Sequence, residues 1–237
     1  MAVHVDILSG VGVLTLDRPE RAHAYDRAHL ADLESGFDRL AGSVPVVVIR
    51  STGTGAFCGG ADLRELRDAD PLSALELASQ RVFDRIARSP AVTIAAIQGA
   101  AVAGGAELAL ACDLRIVGPG ARLGLPEVQH GLIPSAGGCT RLTRLAGASV
   151  AKQVILFGVE LEAKDLSRLG LAVTAEGPPF EHAMRVAQAL RETADPVAAR
   201  LAKQVIDHGD DTGSLALERV SESLLYHRRS ATSEATD

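Results

Sequence analysis

The 237-residue chain has no excess of positive charge, no paired cysteines and no long apolar run. Each absence removes a class of function. With 24 Lys and Arg against 30 Asp and Glu, the formal net charge is −6, and an acidic chain offers no broad basic surface to nucleic acid or an anionic membrane. Three cysteines, Cys58, Cys112 and Cys139, are odd in number and far apart, with no CxxC pair and no Cys/His cluster at metal spacing. Such usage fits a reduced, cytoplasmic protein better than a disulfide scaffold. No apolar run reaches the ~20 residues of a membrane-spanning helix. The start MAVHVDILSG lacks a basic segment leading into an apolar one, so no secretory signal is expected.

Several site signatures are missing too. No Gly-Lys-Ser/Thr follows either glycine-rich turn, no GxGxxG occurs, the seven scattered histidines form no HExxH, and Ser135 has no GxSxG around it. Phosphate-loop, dinucleotide, zinc-hydrolase and serine-hydrolase readings therefore have little support. The composition is that of a globular protein, 47% apolar and 23% charged. Its length suits one domain, or one domain with a small helical appendage.

Residues 3–16 alternate and then run apolar around Ser9-Gly10, which predicts a strand hairpin. Asp17-Arg18-Pro19-Glu20 breaks it, and Leu30, Leu33, Phe37 and Leu40 recur at helical spacing between Asp26 and Leu40. The run from Pro45 to Arg50 and that from Ala91 to Ile97 read as strands buried on both faces, with a helix at about 72–88 between them. Gly99 to Gly105 reads as a small-residue turn, Ala106 to Cys112 as a helix and Leu114 to Val117 as another strand. Strand, helix, strand at this spacing implies crossover connections and a mainly parallel sheet. Beyond about residue 138 helical periods dominate to residue 226, and the small, polar tail Ser230–Asp237 is expected to fray.

Two glycine-rich turns, Phe57 to Leu63 and Gly99 to Glu107, run from a buried strand toward a helix. Backbone N–H groups there are unpaired and able to donate to an anionic oxygen. Taken alone, each turn is equally explained by close packing of strand on helix. Two carboxylates follow, Glu107 in the first turn of a helix and Glu127 after Pro126, both among apolar or small neighbours. A first-turn acid commonly just offsets the helix dipole. Two carboxyls in one apolar pocket, however, have their pKa values pushed apart and can divide acid and base roles.

Together these segments resemble the enoyl-CoA hydratase/isomerase (crotonase) family. Four blocks stand in family order: Leu16-Asp17-Arg18-Pro19, Phe57 to Leu63, Gly99 to Asp113, and Pro126 to Arg141 with Leu142 just beyond. The resemblance covers about residues 5–226. It implies an α/β fold, a crotonase-like spiral of ββα repeats with a helical C-terminal trimerisation region. On this reading the core spans 1–190 and the C-terminal helices 191–237.

Carried over residue by residue, the resemblance makes Ala61 and Gly104 the two backbone donors of an oxyanion hole for a thioester carbonyl. Glu107 and Glu127 match the glutamate pair that holds a water, with Glu107 helping to deprotonate it and Glu127 protonating the α-carbon. Ala24, Ala61, Asp62, Leu63, Arg64 and Gly104 would meet the substrate and its CoA. The implied activity is hydration of a trans-2-enoyl-CoA to a 3-hydroxyacyl-CoA, with CoA part of the substrate and no separate cofactor or metal. Double-bond isomerisation on the same scaffold, or a weakly active acyl-CoA-binding subunit, are the alternatives. The implied partner set is an acyl-CoA thioester and further copies of the chain, as a homotrimer or hexamer, without nucleic acid or membrane.

This chain departs from the family pattern in two places. Where the family commonly reads Asn-Ala-Leu it has His23-Ala24-Tyr25, expected to reshape the CoA entrance. It also stops at Thr236-Asp237, about where the family continues with an acidic turn and a basic helix. The resemblance therefore implies a shortened C-terminal region, leaving a more open pocket or one completed by a partner chain.

Overall fold

A computed structural model describes residues 2–62, 78–208 and 212–234. The chain divides into two compact units, Met1–Ala189 and Leu190–Asp237.

The N-terminal hairpin forms as expected. Strands β1 (Ala2–Leu8) and β2 (Val11–Asp17) pair antiparallel from Leu8↔Val11 out to Ala2↔Asp17. Ser9 and Gly10 have φ of 50° and 76°, the positive pair that a two-residue turn uses to match strand twist. Helix α1 (Arg27–Ala41) then packs over β1 and β2, burying Leu30, Leu33, Phe37 and Leu40. The Asp26 side chain caps it by accepting the His29 N–H at 3.0 Å.

The chain next lays β3 (Val46–Ser51), β4 (Val92–Ile97), β6 (Leu114–Val117) and β9 (Val173–Thr174) parallel to β2, giving the order β1-β2-β3-β4-β6-β9. Val46 to Ile49 and Ile94 to Ile97 are at most 1% exposed, so both continuous apolar runs are central strands. Helix α2 is described over Ala78–Ala87 and buries Val82, Phe83 and Ile86. The earlier part of the expected 72–88 helix lies outside the described residues.

A second, smaller ladder was not anticipated. Residues 99–105, expected as a turn, contain β5 (Ala100–Val102), and helix α3 (Gly104–Ala111) starts at once after it. Strand β5 pairs in parallel with β7 (Arg122–Gly124), which pairs antiparallel with β8 (Leu161–Glu162). Two single-residue parallel bridges, Cys58 with Ala101 and Tyr25 with Ala61, carry the ladder on. Successive turns of chain thus place a strand in the large sheet, a short strand or bridge in the small one, and then a helix. These strands are two or three residues long, too short for an alternating pattern.

Helix α3 is pinned at both ends. Beyond its C-terminus the Asp113 carboxylate accepts the Thr93 N–H (2.7 Å) and hydroxyl (3.0 Å) from β4. Arg115, only 5% exposed, donates to the carbonyls of Ala109 (3.2 Å), Cys112 (2.6 Å) and Leu171 (2.5 Å). The long helix α4 (Gly138–Phe157) breaks at Gly147 (φ 81°, ψ 161°) and is followed by α5 (Ala163–Arg168) and α6 (Pro179–Thr193).

In the second unit α7 (Pro196–His208) packs with α8 (Thr212–Glu234). Asp195 accepts the N–H groups of Val197 (2.9 Å) and Ala198 (3.0 Å) and pairs with Arg228 on α8 at 2.8 Å. Residues Ser230 to Glu234, expected to fray, continue α8. No helix among the described residues is long and apolar enough to cross a membrane.

Replacing Arg115 by leucine removes the guanidinium's hydrogen bonds to three buried carbonyls. Since each lost charged bond costs roughly 1–3 kcal/mol, Arg115→Leu is expected to lower the unfolding free energy by about 3 kcal/mol or more, read as a reduced urea midpoint. A midpoint equal to wild type would mean that these carbonyls find other donors.

Candidate active site

The small ladder brings the two glycine-rich turns together. On one side of the first turn, the N–H of Gly59 reaches the Ala22 carbonyl (2.8 Å), the N–H of Tyr25 reaches Gly60 O (2.8 Å) and the N–H of Asp62 reaches Tyr25 O (2.7 Å). On the other side, Phe57 N–H donates to Ala100 O (2.8 Å) and Val102 N–H to Cys58 O (3.0 Å). In this register Tyr25 uses the residues on either side of Ala61, so the Ala61 N–H points away from the bridge. Gly104 opens α3, where the first N–H groups have no intrahelical acceptor. Among the described residues neither N–H has a hydrogen-bond partner.

The two donors are close because glycine permits it. A Cβ on Gly60, which has φ +89°, would lie 2.9 Å from the Gly104 nitrogen. A Cβ on Gly105 would lie 1.9 Å from the Cys58 carbonyl oxygen, so any side chain there separates the turns.

Both predicted carboxylates lie near these turns, where their charges act on the Tyr25 phenol. Glu107, on the first turn of α3, is 3% exposed. Its Oε1 accepts the N–H of Ala136 (2.7 Å) and of Gly138 (2.8 Å), the latter the first residue of α4. The carboxylate thus takes the place of an anion at a helix N-terminus. Arg141 donates to the Ala136 carbonyl at 2.8 Å and holds that turn. Burial raises the Glu107 pKa, against the pull of the two N–H donors and Arg141.

Glu127 is differently placed. It begins a 3-10 turn, Glu127–His130, and its Oε2 is buried with no hydrogen-bond partner among the described residues. Burial, reinforced by the nearby Glu107 charge, pushes this carboxyl up to about 7. Glu107 therefore has two N–H donors from the turn opening α4 to favour its anion, while Glu127 has only its own backbone N–H to do so, a difference that can separate a base from an acid. Among the described residues no group of three His, Cys, Asp or Glu side chains is placed to hold a metal ion.

Of the residues expected to meet CoA, Ala24 and Asp62 are half-buried and joined through Arg18, whose guanidinium donates to Ala24 O (2.9 Å) and pairs with Asp62 (3.2 Å). Leu63 and Arg64 lie outside the described residues. His23, expected at the entrance, lies inside the turn at 4% exposure, accepting the Arg18 N–H on Nδ1 at 3.0 Å. Burial lowers its pKa, so it serves as a neutral structural imidazole. Arg18 was not among the expected site residues, and Tyr25 was expected only to reshape the entrance. The only sign of either was the Leu-Asp-Arg-Pro block and the departure at 23–25.

The chain belongs to the enoyl-CoA hydratase/isomerase family, whose model matches residues 6–234. It is 42% identical over 211 residues to a protein named probable enoyl-CoA hydratase 2, mitochondrial, of Arabidopsis thaliana, covering 86% of this chain and 69% of that one. It is 33% identical to the short-chain-enoyl-CoA hydratase of Clostridium acetobutylicum, over 84% of this chain and 78% of that one. The crystal structure of an enoyl-CoA hydratase from Bacillus anthracis superposes with a TM-score of 0.90 at 31% identity, over 96% and 92% of the two chains. The architecture is therefore the crotonase fold.

A Glu127 pKa near 7 lies above the ~4.3 of a free glutamate, so the native chain binds this proton more tightly than the unfolded chain. The resulting stability is complete below ~4.3 and is lost as pH rises through about 7. Glu127→Gln removes that dependence, so its Tm should rise relative to wild type between about pH 5 and about pH 8. A Tm difference that stays constant across the window would place the Glu127 carboxyl in an ordinary, ionised state.

Proposed function

We propose that the protein is an enoyl-CoA hydratase, adding water across the trans-2 double bond of an enoyl-CoA to give a 3-hydroxyacyl-CoA. The observation that carries this reading is the buried, partnerless Oε2 of Glu127 beside Glu107. A water bound between the two carboxyls would supply the missing partner.

In this mechanism the thioester carbonyl accepts hydrogen bonds from the Ala61 and Gly104 N–H groups. Ionised Glu107 takes a proton from the water as its oxygen bonds to the β-carbon. The π electrons move toward the carbonyl, and the charge that builds there is held by the two donors, each worth about 3–4 kcal/mol. Protonated Glu127 then delivers its proton to the α-carbon. A carboxyl with a pKa of about 7 suits a general acid near neutrality. Isomerisation moves a proton between two carbons and needs no water, so a pair of differently biased acids favours hydration. Relatives named as hydratases point the same way. CoA enters as part of the substrate, and no other cofactor is needed. Assembly as a homotrimer or hexamer belongs to the same reading, supported by the apolar Leu156 and Phe157 that α4 leaves exposed.

Purified protein should bleach the conjugated absorbance of crotonyl-CoA, with a product heavier by one water. Glu127→Gln should lower kcat by ~100-fold or more, the scale of a lost general acid, while CoA-thioester binding measured by calorimetry stays near wild type. In the hydration direction kcat/KM should fall as pH rises through about 7, where Glu127 loses its proton. A shifted double bond without mass gain would replace hydration by isomerisation. Undiminished turnover of Glu127→Gln would remove that residue from the mechanism.

A further inference from the structure

Tyr25 touches both of the unpartnered N–H turns. Its backbone brackets Ala61: the Tyr25 N–H donates to Gly60 O at 2.8 Å, and the Tyr25 carbonyl accepts the Asp62 N–H at 2.7 Å. Its side chain reaches the other turn. A Cβ added to Gly104 would lie 1.9 Å from the Tyr25 hydroxyl oxygen and 2.8 Å from Cζ, so the phenol end lies directly against the Gly104 α-carbon. The ring is held in place, edge-on to Phe83 at 5.8 Å and 89°. The hydroxyl shares a hydrogen bond with the Ser79 side chain on α2.

The turn it abuts needs such support. Ala103, just before Gly104, has φ 51° and ψ −126°, a conformation that is strained for a residue with a Cβ and persists only where its surroundings impose it. One restraint is the Ala103 N–H bond to Gly124 O at 2.9 Å. The hydroxyl of Tyr25 stands against the same turn, at Gly104. Burial raises the phenol pKa well above its ordinary range, so the group stays a neutral O–H throughout the working pH.

We infer that Tyr25 is a positioning residue that sets the spacing of the Ala61 and Gly104 N–H donors, its backbone fixing the first and its Ser79-held hydroxyl the second. The inference rests on the hydratase reading, in which both donors face one thioester oxygen. Loss of the hydroxyl leaves ring, bridge and donors in place and loosens only their spacing. It should therefore weaken transition-state stabilisation more than ground-state binding.

The test uses butyryl-CoA, a saturated thioester with no double bond to hydrate, and isotope-edited infrared spectroscopy of its carbonyl. Bound to wild type, the carbonyl stretch should move to lower frequency because two N–H groups polarise it. In Tyr25→Phe the shift should shrink, and kcat on crotonyl-CoA should fall roughly tenfold with KM within about twofold, a fraction of the ~100-fold attached to a 1 Å misplacement. Ser79→Ala keeps the tyrosine and removes its partner, and should move both readouts the same way by less, which keeps the test intact if Tyr25→Phe folds poorly. A purely structural role would lower Tm and leave the frequency unchanged. A wild-type shift that both variants retain, with kcat intact, overturns the role of Tyr25 alone. No shift in wild type overturns the donor pair, and with it both readings.

Discussion

The first turn of α3 packs closely on the segment Cys58–Asp62, an approach that the glycines at 60 and 105 permit. That contact governs the site. It brings together two N–H groups that have no partner among the described residues, because the small ladder uses the neighbouring groups. Phe57, Val102, Tyr25 and Asp62 all donate into the ladder, while Ala61 and Gly104 do not. The surrounding bonds hold the two N–H groups in place, as the proposed role of stabilising developing charge without reorganisation requires.

The same packing sets the behaviour of the two acids. Glu107 is carried on α3, and the turn opening α4 closes over it with two N–H donors. Glu127, on a separate 3-10 turn, is buried without such help. Desolvation acts on both; two N–H donors and the Arg141 charge oppose it at Glu107, and only its own backbone N–H does so at Glu127. Two residues of one type thus acquire different proton affinities from their positions. Arg115 and the Thr93–Asp113 pair hold α3 from its far end, so the geometry at its start depends on polar contacts remote from the cleft.

Parts of this were legible in the chain. The 3–16 hairpin, the buried runs of β3 and β4 and the apolar stripe of α1 follow from local pattern, since each is long enough to show its period. Glu107 and Glu127 stood out as acids among apolar neighbours, and the four blocks pointed to the family that the comparisons then showed. The strands β5, β7 and β8 and the two bridges were not legible, because ladders of one to three residues leave no period. His23 was misjudged for a related reason. Sequence placed it beside the entrance, but the positive φ values of Ala22 and His23 turn it inward. Arg18, Tyr25 and Arg115 act through partners 44, 79 and 56 positions away, Asp62, Gly104 and Leu171, and no local spacing encodes such contacts.

The sequence by itself determined the strand and helix periods, the net acidic charge and the supply of glycines and acids, because these are properties of residues and near neighbours. The tertiary structure decided which N–H groups remain free, which glutamate is given donors and where the Tyr25 hydroxyl comes to rest. Those outcomes depend on segments that meet only when the ladder closes, and solvation and hydrogen bonding are set by what surrounds a group in space.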